Sequence, residues 1–186
     1  TEFGSATDDI LSSSFDGTNQ GVVCQAAGGN NPNDVRGIAV SPSRNRIVWC
    51  NRNVSNDIGT ASLDGSLSGT IFNLLNDPYD IVIDQRSGKL YWVGGSSATG
   101  TERVWTGNID GTGYAALNSP IQTILATANG AGNTGIDLDP LSNTLYYVGE
   151  FGTNELRIHK SDLNGDNAAL VLTQADAAFD EAVEVQ

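Results

Sequence analysis

Apolar and polar residues alternate along this chain in short runs that are interrupted by turn-forming residues. Three segments share one order: an alternating apolar run, a polar turn, and a second apolar run that carries aromatics. They are GIAVSPSRNRIVWC (37–50), DIVIDQRSGKLYWV (80–93) and GIDLDPLSNTLYYV (135–148). Alternation with a period of two on both sides of a polar turn is typical of a β-hairpin. Each segment is therefore predicted to be a hairpin.

A second hairpin pattern alternates with the first. Its centres are Asp-Gly or Asn-Gly pairs between apolar flanks, at 16–17, 64–65, 110–111 and 164–165. Such pairs readily adopt the positive φ angles of tight hairpin turns. They recur every 46 to 54 residues. Four short strands in a period of that size are typical of a propeller blade.

The pattern predicts a single all-β, propeller-like domain over residues 1–186, built from four-stranded antiparallel blades whose strands run A to D from the axis outward. Three complete blades are expected, at about 34–76, 77–119 and 132–174. A composite blade would join 8–25 to 179–186, where Val183 and Val185 match apolar positions of the other strands A.

This composite blade would lack strand B, which leaves the edge of its strand A without a neighbour. Unpaired N–H and C=O groups at such an edge are a template for another strand. Four outcomes stay open: the ring closes within one chain, two chains build a larger ring, a neighbouring copy supplies the missing strand at Val183 and Val185, or the chain is a fragment of a longer propeller. A head-to-tail contact between copies propagates into a fibre unless its rotation closes a ring.

The repeats resemble those of the YWTD β-propellers of low-density-lipoprotein-receptor type. The best copy spans 80–117, and Tyr91-Trp92 preserves the Tyr-Trp pair. The Thr-Asp that should follow is replaced by Cys50-Asn51, Val93-Gly94 and Val148-Gly149. In the family that Asp helps to lock one blade to the next, so the resemblance implies that other residues do so here. The family's propellers usually have six blades, more than this chain holds.

Charge excludes some classes of partner. Nine basic residues face 22 acidic ones, for a net charge of −13. Nucleic-acid binding needs clustered Lys and Arg, and this chain has no such cluster in its sequence. Anionic membrane surfaces are disfavoured for the same reason, and no apolar run reaches the roughly 20 residues of a membrane span. The expected partner is a protein or another copy of this chain.

Three features favour an extracellular setting, secreted or at the cell surface. The chain contains no Met, as expected of a processed or excised product. Cys24 and Cys50 form an even pair that permits one disulfide. Asn53 begins an Asn-Val-Ser glycosylation acceptor pattern. The sequence therefore predicts a disulfide-containing glycoprotein.

Candidates for catalysis and metal binding are few. The single histidine, His159, lies on a predicted strand without a nucleophile pattern near it. Asp162, Asn164 and Asp166 place oxygen side chains at alternate positions, as the start of a calcium loop does. Thr173 stands where such a loop has its bidentate Glu, so a hairpin turn is favoured over a Ca²⁺ site. No other cofactor is expected, and the chain is predicted not to be an enzyme.

The aromatic residues fall into two groups. Trp49, Trp92 and Tyr147 share one blade position and are expected to pack between neighbouring blades. Trp105 falls outside that position, which makes it a candidate for ligand contact.

Binding candidates also lie where the chain enters the inner strands, because propeller partners usually dock near the axis. They are Arg36, Tyr79, Asn133 and Glu181. The sequence thus predicts a non-catalytic extracellular module that binds or scaffolds proteins. The alternatives are a self-assembling subunit of an extracellular fibre or oligomer and a metal-dependent, lactonase-like hydrolase.

Overall fold

A computed structural model describes residues 9–24, 34–52, 56–74, 77–96, 101–117, 135–151 and 155–175. Within these ranges the chain forms fourteen β-strands and one short 3-10 turn at Pro42–Arg44. The prediction of an all-β chain is therefore confirmed.

The strands pair into one two-stranded sheet and three four-stranded antiparallel sheets. The two-stranded sheet, named the half-blade, contains β1 (Ile10–Ser12) and β2 (Gly21–Cys24). Blade 1 contains β3 (Val35–Ser41), β4 (Arg46–Asn51), β5 (Asp57–Ala61) and β6 (Ser68–Asn73). Blade 2 contains β7 (Asp77–Asp84), β8 (Lys89–Ser96), β9 (Thr101–Asn108) and β10 (Ala115–Ala116). Blade 3 contains β11 (Ile136–Asp139), β12 (Thr144–Phe151), β13 (Glu155–Asp162) and β14 (Ala169–Ala175).

The predicted turn chemistry is present in every described hairpin. Each turn between strands A and B has an Asn or Gly at a positive φ angle, namely Asn45, Gly88 and Asn143. Each Asp-Gly or Asn-Gly turn places its glycine at a positive φ angle, at Gly17, Gly65, Gly111 and Gly165. The turn residues therefore fix where each strand ends and which way the chain returns.

Three hydrophobic clusters fill the gaps between consecutive sheets. One lies between the half-blade and blade 1, the second between blades 1 and 2, and the third between blades 2 and 3. We call the side of a sheet that faces the preceding sheet its leading face and the other its trailing face. Trp49, Trp92 and Tyr147 lie on leading faces and are at most 1% exposed, which confirms their predicted packing between blades.

The predicted disulfide between Cys24 and Cys50 is wrong, because both are buried free thiols. Successive residues of a strand point to opposite faces of its sheet. Trp49 faces the half-blade, where Cys24 lies, so Cys50 faces blade 2. The thickness of a blade thus separates the two sulfur atoms.

The composite blade is only partly described. Its N-terminal half is the half-blade, whereas 179–186, with Val183 and Val185, lies outside the described residues. Leu11 on the half-blade is 66% exposed and Leu172 on blade 3 is 49% exposed. In the described part of the chain, these two outer sheets therefore each expose a large apolar side chain.

Candidate functional site at the entrance to the inner strands

Two of the predicted binding residues occupy equivalent places in neighbouring blades. Arg36 lies on β3 and Tyr79 on β7, each shortly before the alternating apolar run of strand A. Arg36 pairs with Asp34 at 3.1 Å, and the two side chains stay 31% and 22% exposed. This end of the inner strands therefore presents a partly exposed arginine in blade 1 and a tyrosine at the equivalent place in blade 2.

Arg52 connects this end of blade 1 to blade 2. Its guanidinium carbon lies 4.8 Å from the centre of the Tyr79 ring, within the range of a cation–π interaction. Its Nε lies 3.7 Å from a carboxylate oxygen of Asp77, the first residue of β7. We call Asp34, Arg36, Arg52, Asp77 and Tyr79 the entrance cluster.

The sequence analysis missed Arg52 and Asp77. A signal was available, because Arg52 directly follows strand B of blade 1 and Asp77 begins strand A of the next blade. Those two strand ends meet at the same end of a propeller. The contact between them still depends on how blades 1 and 2 pack, which the repeat alone does not fix.

Asp80 joins three blades at the axis. It stands where the other repeats have glycine, Gly37 in blade 1 and Gly135 in blade 3. Its two carboxylate oxygens accept hydrogen bonds from the backbone N–H groups of Ile136 and Ile81, each at 2.9 Å. A Cβ at Gly37 would lie 2.6 Å from the Cα of Asp80, so only glycine leaves room there. Burial raises the pKa of Asp80 above its ordinary value, and the nearby charge of Asp137 adds to the effect.

Side chains at the opposite end of the blades provide further links. Arg44 of blade 1 donates to the backbone carbonyls of Gln85 and Arg86 in blade 2, at 2.5 and 3.0 Å. Arg86 in turn donates to the Asn143 side chain of blade 3. With Asp80, these contacts connect the blades in the absence of the YWTD aspartate.

A groove of about 270 Å3 runs along the axial surface of the three inner strands. Its walls are mainly aliphatic, from Ile38, Ile81 and Leu138, with Gln85 and Asp137 as polar members. It is a concave surface next to the buried Asp80, so a ligand in it would meet few charges.

Trp105 is half-buried instead of open to solvent. Its ring stacks on Tyr114 with centroids 5.3 Å apart, and Tyr114 also stacks on Trp92 at 5.8 Å. Tyr114 is 43% exposed and therefore carries the accessible aromatic surface at this place. The sequence pattern did not single out Tyr114, because it precedes a strand of only two residues.

The calcium candidates form a hairpin turn. One carboxylate oxygen of Asp162 accepts the backbone N–H groups of Asn164 and Asp166, both at 2.9 Å, and the other accepts the side-chain amide of Asn167. Among the described residues there is no group of three or more His, Cys, Asp or Glu side chains suited to a metal. The Ca²⁺ site stays a prediction.

Other candidates are placed as follows. His159 is 4% exposed and stacks on Tyr147, and burial lowers its pKa, so the ring is neutral at pH 7. Asn133, Glu181 and the glycosylation candidate Asn53 lie outside the described residues. In the part of the chain that the structure describes, no helix is long and apolar enough to cross a membrane.

Comparison with known proteins supports the fold. No protein-family model and no curated protein matches the chain. A chain of a nidogen/laminin complex aligns with a TM-score of 0.64 and 21% identity, over 84% of this chain and 53% of that one. TolB from Acinetobacter baumannii aligns with a TM-score of 0.62 and 10% identity, over 87% of this chain and 37% of that one.

A gluconolactonase from Xanthomonas campestris also aligns, with a TM-score of 0.59 and 18% identity, over 90% of this chain and 54% of that one. The prediction that the chain is not an enzyme is contradicted by this neighbour, because an enzyme shares the fold. The chain spans about half the length of the nidogen/laminin and gluconolactonase chains. Its three four-stranded antiparallel sheets and its half-blade form part of a β-propeller.

Proposed function

We propose that this chain is an extracellular propeller segment with degenerate YWTD-type repeats, and that it binds a protein partner through the entrance cluster. The observation that carries the proposal is the stack of Arg52 on Tyr79, with Arg36 at the equivalent place of blade 1. Arginine and tyrosine are enriched among residues that dominate binding energy at protein interfaces. The nidogen/laminin neighbour is itself a protein complex, which agrees with this use of the fold.

The cluster also defines the chemistry of the partner. Asp34 and Asp77 hold the two guanidinium groups in place while leaving Arg36 31% exposed. Because ion pairs fix the arginines before binding, a partner need not immobilise them itself. A peptide segment that offers a carboxylate beside an aromatic ring would satisfy both Arg36 and the Tyr79–Arg52 stack.

A phage-displayed peptide library, selected on the full chain, tests the proposal without a known partner. Selected peptides should lose at least tenfold in affinity when Arg36 or Tyr79 is changed to Ala. The matched control is Arg46→Ala, since Arg46 begins β4 at the opposite end of blade 1. Peptides that bind all three variants as tightly as the unchanged chain would refute the role of the cluster.

A lactonase-like hydrolase is a second candidate, favoured by the axial groove and by the carboxylate of Asp137 in its wall. Asp137 lines the groove, and the charge of Asp137 contributes to the raised pKa of Asp80. The expected activity is hydrolysis of a sugar lactone that depends on a divalent cation and is lost in Asp137→Asn. Hydrolysis no faster than in buffer, with and without added cation, would remove this candidate.

A further inference from the structure

The trailing face of blade 3 exposes a residue whose equivalents in the other sheets are buried. On the outermost strand, Cys24 is 7%, Phe72 6% and Leu117 5% exposed, whereas Leu172 is 49% exposed. Pairing establishes the equivalence, since Cys24, Phe72 and Leu172 lie opposite Ile10, Ile58 and Ile158. Leu117 donates its N–H to Val104, the corresponding residue of blade 2. Three of these residues are covered by the next sheet, whereas no sheet among the described residues covers Leu172.

The leading face of the half-blade shows the complementary exposure. Phe15 precedes its Asp-Gly turn as Ile109 and Leu163 precede theirs. Ile109 and Leu163 pack against the clusters that lie before their blades. Leu63, at the same place in blade 1, is 37% exposed, and Phe15 is fully exposed. Leu11, on the leading face of the half-blade, is 66% exposed. Among the described residues, Phe15 and Leu11 are therefore apolar side chains that this face leaves open to solvent.

We propose that the trailing face of blade 3 docks on the leading face of the half-blade of a second copy of this chain. The same kind of contact, trailing face on leading face, occurs three times within one chain. A second copy continues that series, because it presents the missing face with the same apolar character. This inference is independent of the entrance cluster, which lies at the ends of the inner strands.

The geometry of the contact also indicates a closed assembly. A trailing face on a leading face is a head-to-tail contact, which gives a ring when the rotation between copies closes. Two copies are the smallest number that can close in this way, and closure covers both outer faces. The expected assembly is a ring of two copies in which the contact occurs twice.

Light scattering coupled to size exclusion, over a dilution series of the full chain, measures the assembly. The expected mass is twice the 19.5 kDa of one chain. Leu172→Asp should give monomers, and so should Leu11→Asp, because each removes both contacts of the ring. Both side chains are exposed, so circular dichroism should show an unchanged fold, while the Tm should fall because association no longer stabilises the folded state.

Leu170→Asp is the matched control. Leu170 lies on β14 with Leu172 and is 55% exposed. It pairs with His159, whereas Leu172 pairs with Ile158, so the two leucines lie on opposite faces of blade 3. The Leu170→Asp variant should keep the mass of the unchanged chain.

Mixing the two monomeric variants separates this contact from any other self-association. Leu172→Asp keeps an intact leading face and Leu11→Asp keeps an intact trailing face, so an equimolar mixture should form heterodimers with one contact. A monomeric unchanged chain would overturn the proposal. So would an oligomer that survives both substitutions, or a mixture that stays monomeric.

Discussion

Gly59 gives the sharpest test of how the blades pack. It lies on β5 directly opposite Trp49 on β4, and the indole covers it. A Cβ built at Gly59 would lie 2.3 Å from the nearest ring atom of Trp49. Trp49 is 0% exposed between the half-blade and blade 1, so the ring has no free space into which it can move. A Gly59→Ala substitution should therefore force the half-blade away from blade 1.

The expected cost follows from known effects of overpacking. An extra methyl group in a filled core destabilises by about 1 to 3 kcal/mol. For a chain of this size each kcal/mol lowers the Tm by about 2 to 4 °C, which gives a fall of about 2 to 12 °C. Differential scanning calorimetry at neutral pH measures it.

Gly69→Ala is the control for the loss of a glycine. Gly69 lies on β6 of the same blade, and a Cβ there would meet no atom within 4 Å. Removing a glycine where the backbone tolerates alanine raises stability by about 0.4 to 1 kcal/mol. If Gly59→Ala raised the Tm as Gly69→Ala does, the packing of Trp49 on bare backbone would be refuted.

Three further predictions concern titratable groups. The pKa of Asp80 is raised in the folded chain, so the stability of the unchanged chain relative to Asp80→Asn should fall as pH rises through that pKa. Urea titrations at several pH values measure the difference in stability, and a difference that does not change with pH would contradict the prediction. Hydrogen bonds from neighbouring serines lower the pKa of Asp64 to about 2, so Asp64→Ala should lower the Tm at neutral pH. The difference in Tm between the variant and the unchanged chain should vanish as pH falls from 3.8 towards 2. Burial raises the pKa of Cys24 and Cys50, so a thiol reagent should modify neither in the native chain and both after denaturation without reductant. If the reagent modified neither thiol after denaturation, a disulfide between them would be indicated.

Local sequence patterns were enough to predict the strands and their turns. A hairpin depends on a few neighbouring residues, so the Leu-Tyr-Trp run at 90–92 and the Asp-Gly at 110–111 could be interpreted without knowing the rest of the fold. The burial of Trp92 followed from its repeat position alone. The same strand alternation could have ruled out the Cys24–Cys50 disulfide, because it puts Trp49 and Cys50 on opposite faces.

Contacts between blades could not be predicted from local sequence patterns. The position of Arg52 over Tyr79 depends on the separation and twist of two sheets whose strands are distant in sequence. The role of Asp80 had a sequence signal, because Asp80 stands at a position where the other repeats have glycine. Its hydrogen-bond partner Ile136 lies 56 positions away in the sequence, so the contact between them could not be predicted. Repeat position identified Arg36 and Tyr79 as equivalent residues of neighbouring blades. It did not show which side chains contact them.

The three separate clusters determine how the chain should respond to thermal fluctuations. Each cluster draws its residues from two consecutive sheets only, so each sheet is stabilised by its immediate neighbours. Such an array behaves as a linear series of coupled units, and a terminal unit opens by breaking one coupling instead of two. In the monomeric Leu172→Asp variant, amide hydrogens of the half-blade should therefore exchange fastest and those of blades 1 and 2 slowest. Closing the array into a ring would remove that gradient, because no sheet would then be at an end.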